Sequence, residues 1–157
     1  MMKIKIAVVG KIKEKYFADA CNEYIKRLSR FASVSVVEVK EENFTSEPSQ
    51  AEALSIIKKE GASLLKELKG SVYVMAIEGK KYSSETFASL IKTVKDGSGE
   101  MTIVIGGSHG VDKDIKNKAD GLISMSDMTF PHTLARVMLL EQIYRGFMIL
   151  SNSRYHK

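Results

Sequence analysis

Apolar and polar residues alternate at the start of the chain, with Ile4, Ile6 and Val8 spaced two apart and Lys3 and Lys5 flanking the first of them, so Lys3–Val9 reads as a strand. Phe17, Cys21, Tyr24, Ile25 and Leu28 fall on one 3.6-residue stripe and predict a helix over Glu14–Ser29. Dense β-branched residues predict a second strand over Ser33–Val39. A polar loop is expected over Glu42–Ser49, with Pro48 just inside a helix start. Gln50–Leu68 reads as a long helix that turns Ala53, Leu54, Ile57, Leu64, Leu65 and Leu68 inward and stops at Gly70. A third strand over Val72–Ile77 is expected to end in a turn at Glu78-Gly79-Lys80, and Ser83 or Ser84 caps the helix that contains Thr86 to Val94. After the turn at Asp96–Gly99 come a short apolar strand, Met101–Ile105, a short helix, Asp112–Lys118, and a fifth strand, Leu122–Met125.

Strands and helices in alternation imply a parallel sheet covered by helices, an α/β fold. In such sheets ligands bind beyond the carboxyl ends of the strands. Three segments qualify: those after Ile77, Ile105 and Met125. No repeat, linker or shift in composition divides residues 1–157, which are expected to form one domain. The last helix, through Leu134–Leu150, is interrupted only by Arg136, Glu141, Gln142 and Arg145. Without a clean polar face it needs burial on most sides, within the protomer or against a partner.

Composition narrows the classes. With 44% hydrophobic and 27% charged residues, the 157-residue chain is ordinary for a globular protein with a core of its own. No apolar run reaches the roughly 20 residues of a membrane span, and the amino terminus lacks the form of a signal peptide, so a cytoplasmic protein is expected. The single cysteine, Cys21, excludes an intramolecular disulfide and reads as a packed thiol. His109, His132 and His156 lie far apart in sequence, without zinc spacing, so no metal site is expected. A net charge of +5 permits an anionic partner and fits a plain basic enzyme nearly as well. The lysines gathered early in the chain, Lys11, Lys13 and Lys15 among them, suit a phosphate-tracking surface or a merely solvated one.

Gly106-Gly107-Ser108-His109-Gly110 follows the buried fourth strand. The cluster matches neither the P-loop nor the dinucleotide-binding pattern, and reads equally as a tight turn or as a place where backbone approaches a ligand. Met125, Met128 and Phe130 are large apolar residues in a loop. They form either a sleeve for a flat apolar group such as adenine or ordinary core anchors. Glu141 and Arg145 stand four apart, a favourable helix pair. A tail such as Tyr155-His156-Lys157 is ordinarily frayed, yet three hydrogen-bonding side chains crowd this one. No nucleophile elbow, paired-carboxylate pattern or kinase set is present.

Taken together, Val8-Val9-Gly10-Lys11, Lys13-Glu14-Lys15-Tyr16, Ile77-Glu78-Gly79-Lys80, Ile105 to Gly110, Ser124 to His132, Arg136-Val137, Glu141-Gln142-Ile143-Tyr144-Arg145 and Tyr155-His156-Lys157 resemble the RlmH family. These are small SPOUT-class methyltransferases of bacterial large-subunit ribosomal RNA. The matching pieces run in order along the whole chain. Phe130-Pro131-His132, the E-Q-x-Y-R helix and the terminal Tyr-His-Lys are the most specific of them.

The resemblance implies a parallel α/β sheet whose C-terminal portion forms a deep trefoil knot, which no propensity argument foresees. It implies S-adenosylmethionine as cofactor and a homodimer. The implied substrate is a pseudouridine of the 23S rRNA intersubunit hairpin, methylated at N3 in the assembled ribosome. By position, Met75, Gly106, Met125, Ser126, Asp127, Met128, Thr129 and Phe130 are the cofactor-binding candidates. Met75 stands where leucine is commoner in the family, and Ala76 where many relatives carry an acid. His132, Arg154, Tyr155 and His156 are the catalytic candidates. Either histidine suits removal of the N3 proton, and Arg154 and Arg136 suit a phosphate or the cofactor carboxylate. The competing readings are a non-catalytic ribosome- or RNA-binding α/β module, which leaves the glycine and Met/Phe loops unexplained, and a Rossmann-type nucleotide enzyme, which lacks its fingerprint.

Overall fold

The computed structural model describes residues 1–42 and 46–156. Part of the polar loop expected over Glu42–Ser49, and Lys157 of the tail, lie outside these. The elements run β1 (Met2–Val9), α1 (Lys15–Leu28), β2 (Ala32–Val39), α2 (Gln50–Leu65), β3 (Ser71–Lys81), α3 (Ser84–Asp96), β4 (Glu100–Ile105), α4 (Lys113–Lys118), β5 (Gly121–Ser124) and α5 (His132–Leu150). All five strands are parallel, in the order β2-β1-β4-β3-β5.

The period of two along β1 sorts its side chains onto two cores. Ile4, Ile6 and Val8 join the larger core, built with α1, α3 and α5. Ala7 and Val9 face the smaller one, with Leu64 of α2 and Ile115 of α4. Lys5, on the same face as Ala7, is accommodated by Glu67, whose carboxylate and carbonyl both accept from its Nζ at 3.1 Å. Buried Thr102 donates to the Lys69 carbonyl (2.7 Å) and accepts from the Lys69 N–H (3.0 Å), which fixes the turn into β3. Ser83 caps α3 through the Thr86 N–H, as the serine-rich start implied.

Two expectations change. The inward face of α2 is rotated: Leu54 is 62% exposed, while Ile56, Glu60, Gly61 and Leu64 are buried. Periodicity missed this because the stripe contains a carboxylate and a glycine. The third strand also does not end at Ile77. It continues to Lys81, with Met75 and Lys80 both opposite Ile123 of β5, so that Ala76–Gly79 bulge out of register between them. Gly79 permits the return, since a Cβ there would lie 2.6–2.7 Å from the backbone of Leu122 and Ile123. Gly146 of α5 similarly lets the Ile91 side chain of α3 approach.

Gly79→Ala places a methyl group against backbone that cannot yield cheaply. Overpacking of this kind costs about 1–3 kcal/mol, so the variant is expected to melt several degrees below the parent in calorimetry. A melting temperature equal to the parent's is inconsistent with this packing.

Candidate active site

The carboxyl ends of β3, β4 and β5 surround a cleft of about 720 Å³, a size that suits a small-molecule cofactor. Its walls come from three stretches: the β3 bulge (Met75 to Glu78), the loop after β4 (Ile105 to Val111, without His109), and the loop after β5 (Met125 to His132, without Asp127). Ligand sites beyond strand ends arise because parallel strands deliver their following loops to one edge.

Each wall has a local cause. At Gly106 a Cβ would meet Val111 at 2.5 Å and the Gly110 carbonyl at 2.7 Å, and at Gly107 it would touch Val9 at 3.0 Å. The turn, closed by Gly110 N–H donating to the Gly107 carbonyl at 3.1 Å, therefore requires glycine where it begins, at Gly106 and Gly107. Ser124 donates to the Ser126 carbonyl (3.0 Å), and Ser126 Oγ accepts the Met128 N–H (3.0 Å). These two bonds bend the third loop so that Met128 stands 73% exposed beside the cleft. Across the mouth, Lys116 donates to Glu78 at 2.6 Å and holds that carboxyl below its usual range.

Met75, Gly106, Met125, Ser126, Met128, Thr129, Phe130 and His132 thus line one cleft. Asp127 does not, because its carboxylate is ion-paired with Lys81. The remaining candidates lie elsewhere in the protomer. Tyr155 packs edge-on against Tyr144 at 5.0 Å and donates to Glu141 at 3.4 Å, and burial raises its pKa. His156 accepts from Arg145 at Nδ1 (3.2 Å), and its Nε2 lies 2.8 Å from Glu85. An arginine can only donate, so the geometry assigns the proton to Nε2. Arg154 is exposed. Arg145 is also bound to Glu141, the expected helix pair, at 2.6 Å.

Arg136 is placed quite differently from a phosphate- or carboxylate-holding arginine. It is 4% exposed, ion-paired with Glu38 at 2.9 Å and donating to the Gly10 carbonyl at 3.2 Å. Its guanidinium is turned inside the fold and not toward the cleft.

Sequence reasoning missed Glu60. This residue is 4% exposed and accepts the Glu42 N–H at 3.2 Å, and its other oxygen is buried without a partner among the described residues. It lies behind the glycine loop, 3.4–3.5 Å from the position of a Gly107 Cβ. No signal marks it, because a glutamate in a lysine-rich helix reads as solvated. Lys116 was missed for the same reason.

The sequence profile of the family described as "Predicted SPOUT methyltransferase" matches residues 2–156, and the chain belongs to that family. Among curated relatives it is 48% identical to the ribosomal RNA large subunit methyltransferase H of Oenococcus oeni, over the whole of both chains. It is 50% identical to the protein of that name from Lactobacillus acidophilus, over 99% of this chain and all of the relative. Among solved structures, a probable methylase family protein from Haemophilus influenzae shares the fold, with a TM-score of 0.54 at 13% identity over 98% of this chain and 70% of that one. Among the described residues no helix is long and apolar enough to cross a membrane, and no group of three or more His, Cys, Asp or Glu is arranged to hold a metal.

Burial raises the pKa of Glu60. A carboxyl whose folded pKa is raised binds more protons folded than unfolded, so its ionisation costs stability as pH rises through and above the unfolded value. Glu60→Gln keeps an acceptor for the Glu42 N–H and removes that cost. It is expected to melt about 2–4 °C above the parent at pH 8, with the gap closing by pH 4. A gap independent of pH in thermal melts rules out ionisation as the cause.

Proposed function

We propose that this chain is an S-adenosylmethionine-dependent methyltransferase acting on 23S rRNA, at N3 of a pseudouridine in the intersubunit hairpin of the assembled ribosome. The observation that carries the reading is the single cleft shared by the β3 bulge, the glycine loop and the Met/Phe loop. The family and the names of the full-length relatives support it.

The cleft suits the cofactor. Met75, Ile105, Met125 and Phe130 supply apolar walls for a flat base. Gly106 and Gly107, where a Cβ would strike the protein's own atoms, let the loop fold close and put its backbone on the cleft wall. When bound, S-adenosylmethionine supplies an activated sulfonium methyl group. The protein's task is then chiefly orientation, holding donor and acceptor in line and excluding water. His132 stands at the end of the cleft and at the first position of α5. Its position in the cleft supports it as one candidate, beside His156 of the tail, to accept the N3 proton of the base.

His156 is held beside Arg145, about 20 Å along α5 from His132 at 1.5 Å per residue. One protomer therefore separates the two histidines. In the proposed homodimer, the tail of one chain (Arg154, Tyr155 and His156) completes the cleft of the other. A second cavity of about 540 Å³, bounded by Val137, Met138, Glu141 and Gln142 of α5, shares Met75 and Met125 with the cleft and supports α5 as the contact surface. The chain between β5 and α5 is proposed to thread the loop that makes the trefoil knot. Its packing against the β3 bulge and the glycine loop around one cleft supports this.

Gly106→Val is expected to abolish S-adenosylmethionine binding in calorimetry. Removal of Tyr155, His156 and Lys157 is expected to leave that binding within about twofold while methyl transfer to ribosomes, followed with labelled cofactor, falls by at least about a hundredfold, the scale of a lost general base. Full activity in the truncated protein rejects the role of the tail. Undetectable cofactor binding by the intact protein rejects the function.

A further inference from the structure

The segment from Lys11 to Tyr16 leaves the sheet at the edge that carries the cleft, and the proposed chemistry does not use it. Gly10 turns the chain off β1 with a φ of +90°. Its N–H donates to the Val39 carbonyl at 2.9 Å, and its carbonyl accepts from Arg136 at 3.2 Å. Arg136 lies one helical turn beyond His132 on α5, so the segment starts beside the His132 end of the cleft. Ile12 packs against the larger core and anchors it there.

On either side of Ile12, Lys11 and Lys13 are exposed. Among the described residues neither forms an ion pair. Tyr16 is 67% exposed and contributes nothing to either core. Its ring is nevertheless oriented, resting against Phe17 with centroids 4.6 Å apart. An oriented, water-facing aromatic ring preceded by two unpaired lysines is the composition of a single-strand nucleic-acid surface. Cations there track the phosphates, and the ring takes a base on its face.

We propose that Lys11, Lys13 and Tyr16 form a docking ledge for the RNA strand that flanks the target nucleotide, with the lysines on its phosphates and Tyr16 stacked on an unpaired base. This rests on the rRNA methyltransferase reading of the cleft and adds where the substrate is gripped. The ledge acts on substrate capture, not on methyl transfer, because it lies outside the cleft that holds the reacting groups.

The test compares the intact protein with Tyr16→Ala, Tyr16→Phe and the double variant Lys11→Ala/Lys13→Ala, using ribosomes as substrate. Tyr16→Ala is expected to raise the KM for ribosomes about tenfold, with kcat within twofold. Tyr16→Phe, which keeps the ring, restores the parental KM. The double lysine variant is expected to raise KM and to flatten its dependence on salt, lowering the log–log slope by roughly 1–2. Cofactor affinity and melting temperature stay unchanged in all three, since the side chains are exposed. Co-sedimentation with ribosomes reads the same contacts without methyl transfer. An unchanged KM and unchanged co-sedimentation for both Tyr16→Ala and the lysine variant overturn the ledge. So does a loss that accompanies dissociation of the dimer in sedimentation equilibrium, which assigns Tyr16 to a protein interface. Intact protein that co-sediments through these residues but transfers no methyl group removes the enzymatic reading and leaves the ledge standing.

Discussion

The buried guanidinium of Arg136 joins three parts of the structure that share no sequence proximity. It binds the carboxylate of Glu38 at the end of β2 and the carbonyl of Gly10 at the end of β1, from the second turn of α5. Only the cation is buried: Glu38 lies at the surface, so losing its carboxylate strands the guanidinium, whereas losing Arg136 returns the carboxylate to water. One Nε remains without a partner among the described residues, so the site is not fully compensated even as it stands. What this strained economy secures is position. With Arg136 fixed, His132 one turn earlier is held at the cleft, and the chain leaving Gly10 is held next to it.

The glycine loop obeys a complementary constraint. Gly106 and Gly107 have to lack side chains, since a Cβ there would strike Val111, the Gly110 carbonyl or Val9. A bare loop has little of its own to hold its shape. Support comes from behind, where Glu60 and Gly61 of α2 touch the two ends of the turn: Glu60 the space beside Gly107, Gly61 the side chain of Asp112. The Glu60 carboxyl also carries the Glu42 N–H, so one buried acid braces the ends of two neighbouring strand-to-helix connections. Its raised pKa is the electrostatic consequence of its burial. The loop lining the cleft and the helix behind it are thus a single packing problem.

The layout of the fold was legible because β/α alternation, β-branched runs and helix caps all act locally; Ser83 and the stripe from Phe17 to Leu28 show it. The cleft was legible in outline for a different reason. Parallel strands bring their carboxyl-terminal loops together wherever each loop is read, so Gly106 and Met125 could be grouped without knowing any distance. Long-range pairing was not legible. Nothing local tells that Arg136 faces Glu38 across 98 positions, that Glu60 faces inward, or that β3 bulges at Ala76 to Gly79 and then rejoins β5. Each of these depends on a partner distant in sequence. In Glu60 and Arg136 the residue type itself points the wrong way, because charge ordinarily signals solvent.

The geometry of α5 bears on the roles proposed for the two histidines. His132 begins the helix at the cleft. His156 belongs to a tail that folds back onto the middle of the same helix, in a chain of contacts running from Glu141 through Arg145 and His156 to Glu85. A rigid helix does not shorten, so no rearrangement of the tail along its own α5 brings His156 to its own cleft without dismantling that chain. The last contact, His156 to Glu85, is exposed, and a surface pair of this kind holds little. Tyr155, by contrast, is half-buried and wedged against Tyr144. The tail is therefore pinned at Tyr155 and only lightly held at His156. If both histidines serve one reaction, the length of α5 obliges them to come from different chains. Dimerisation is then a requirement of the chemistry and not an addition to it.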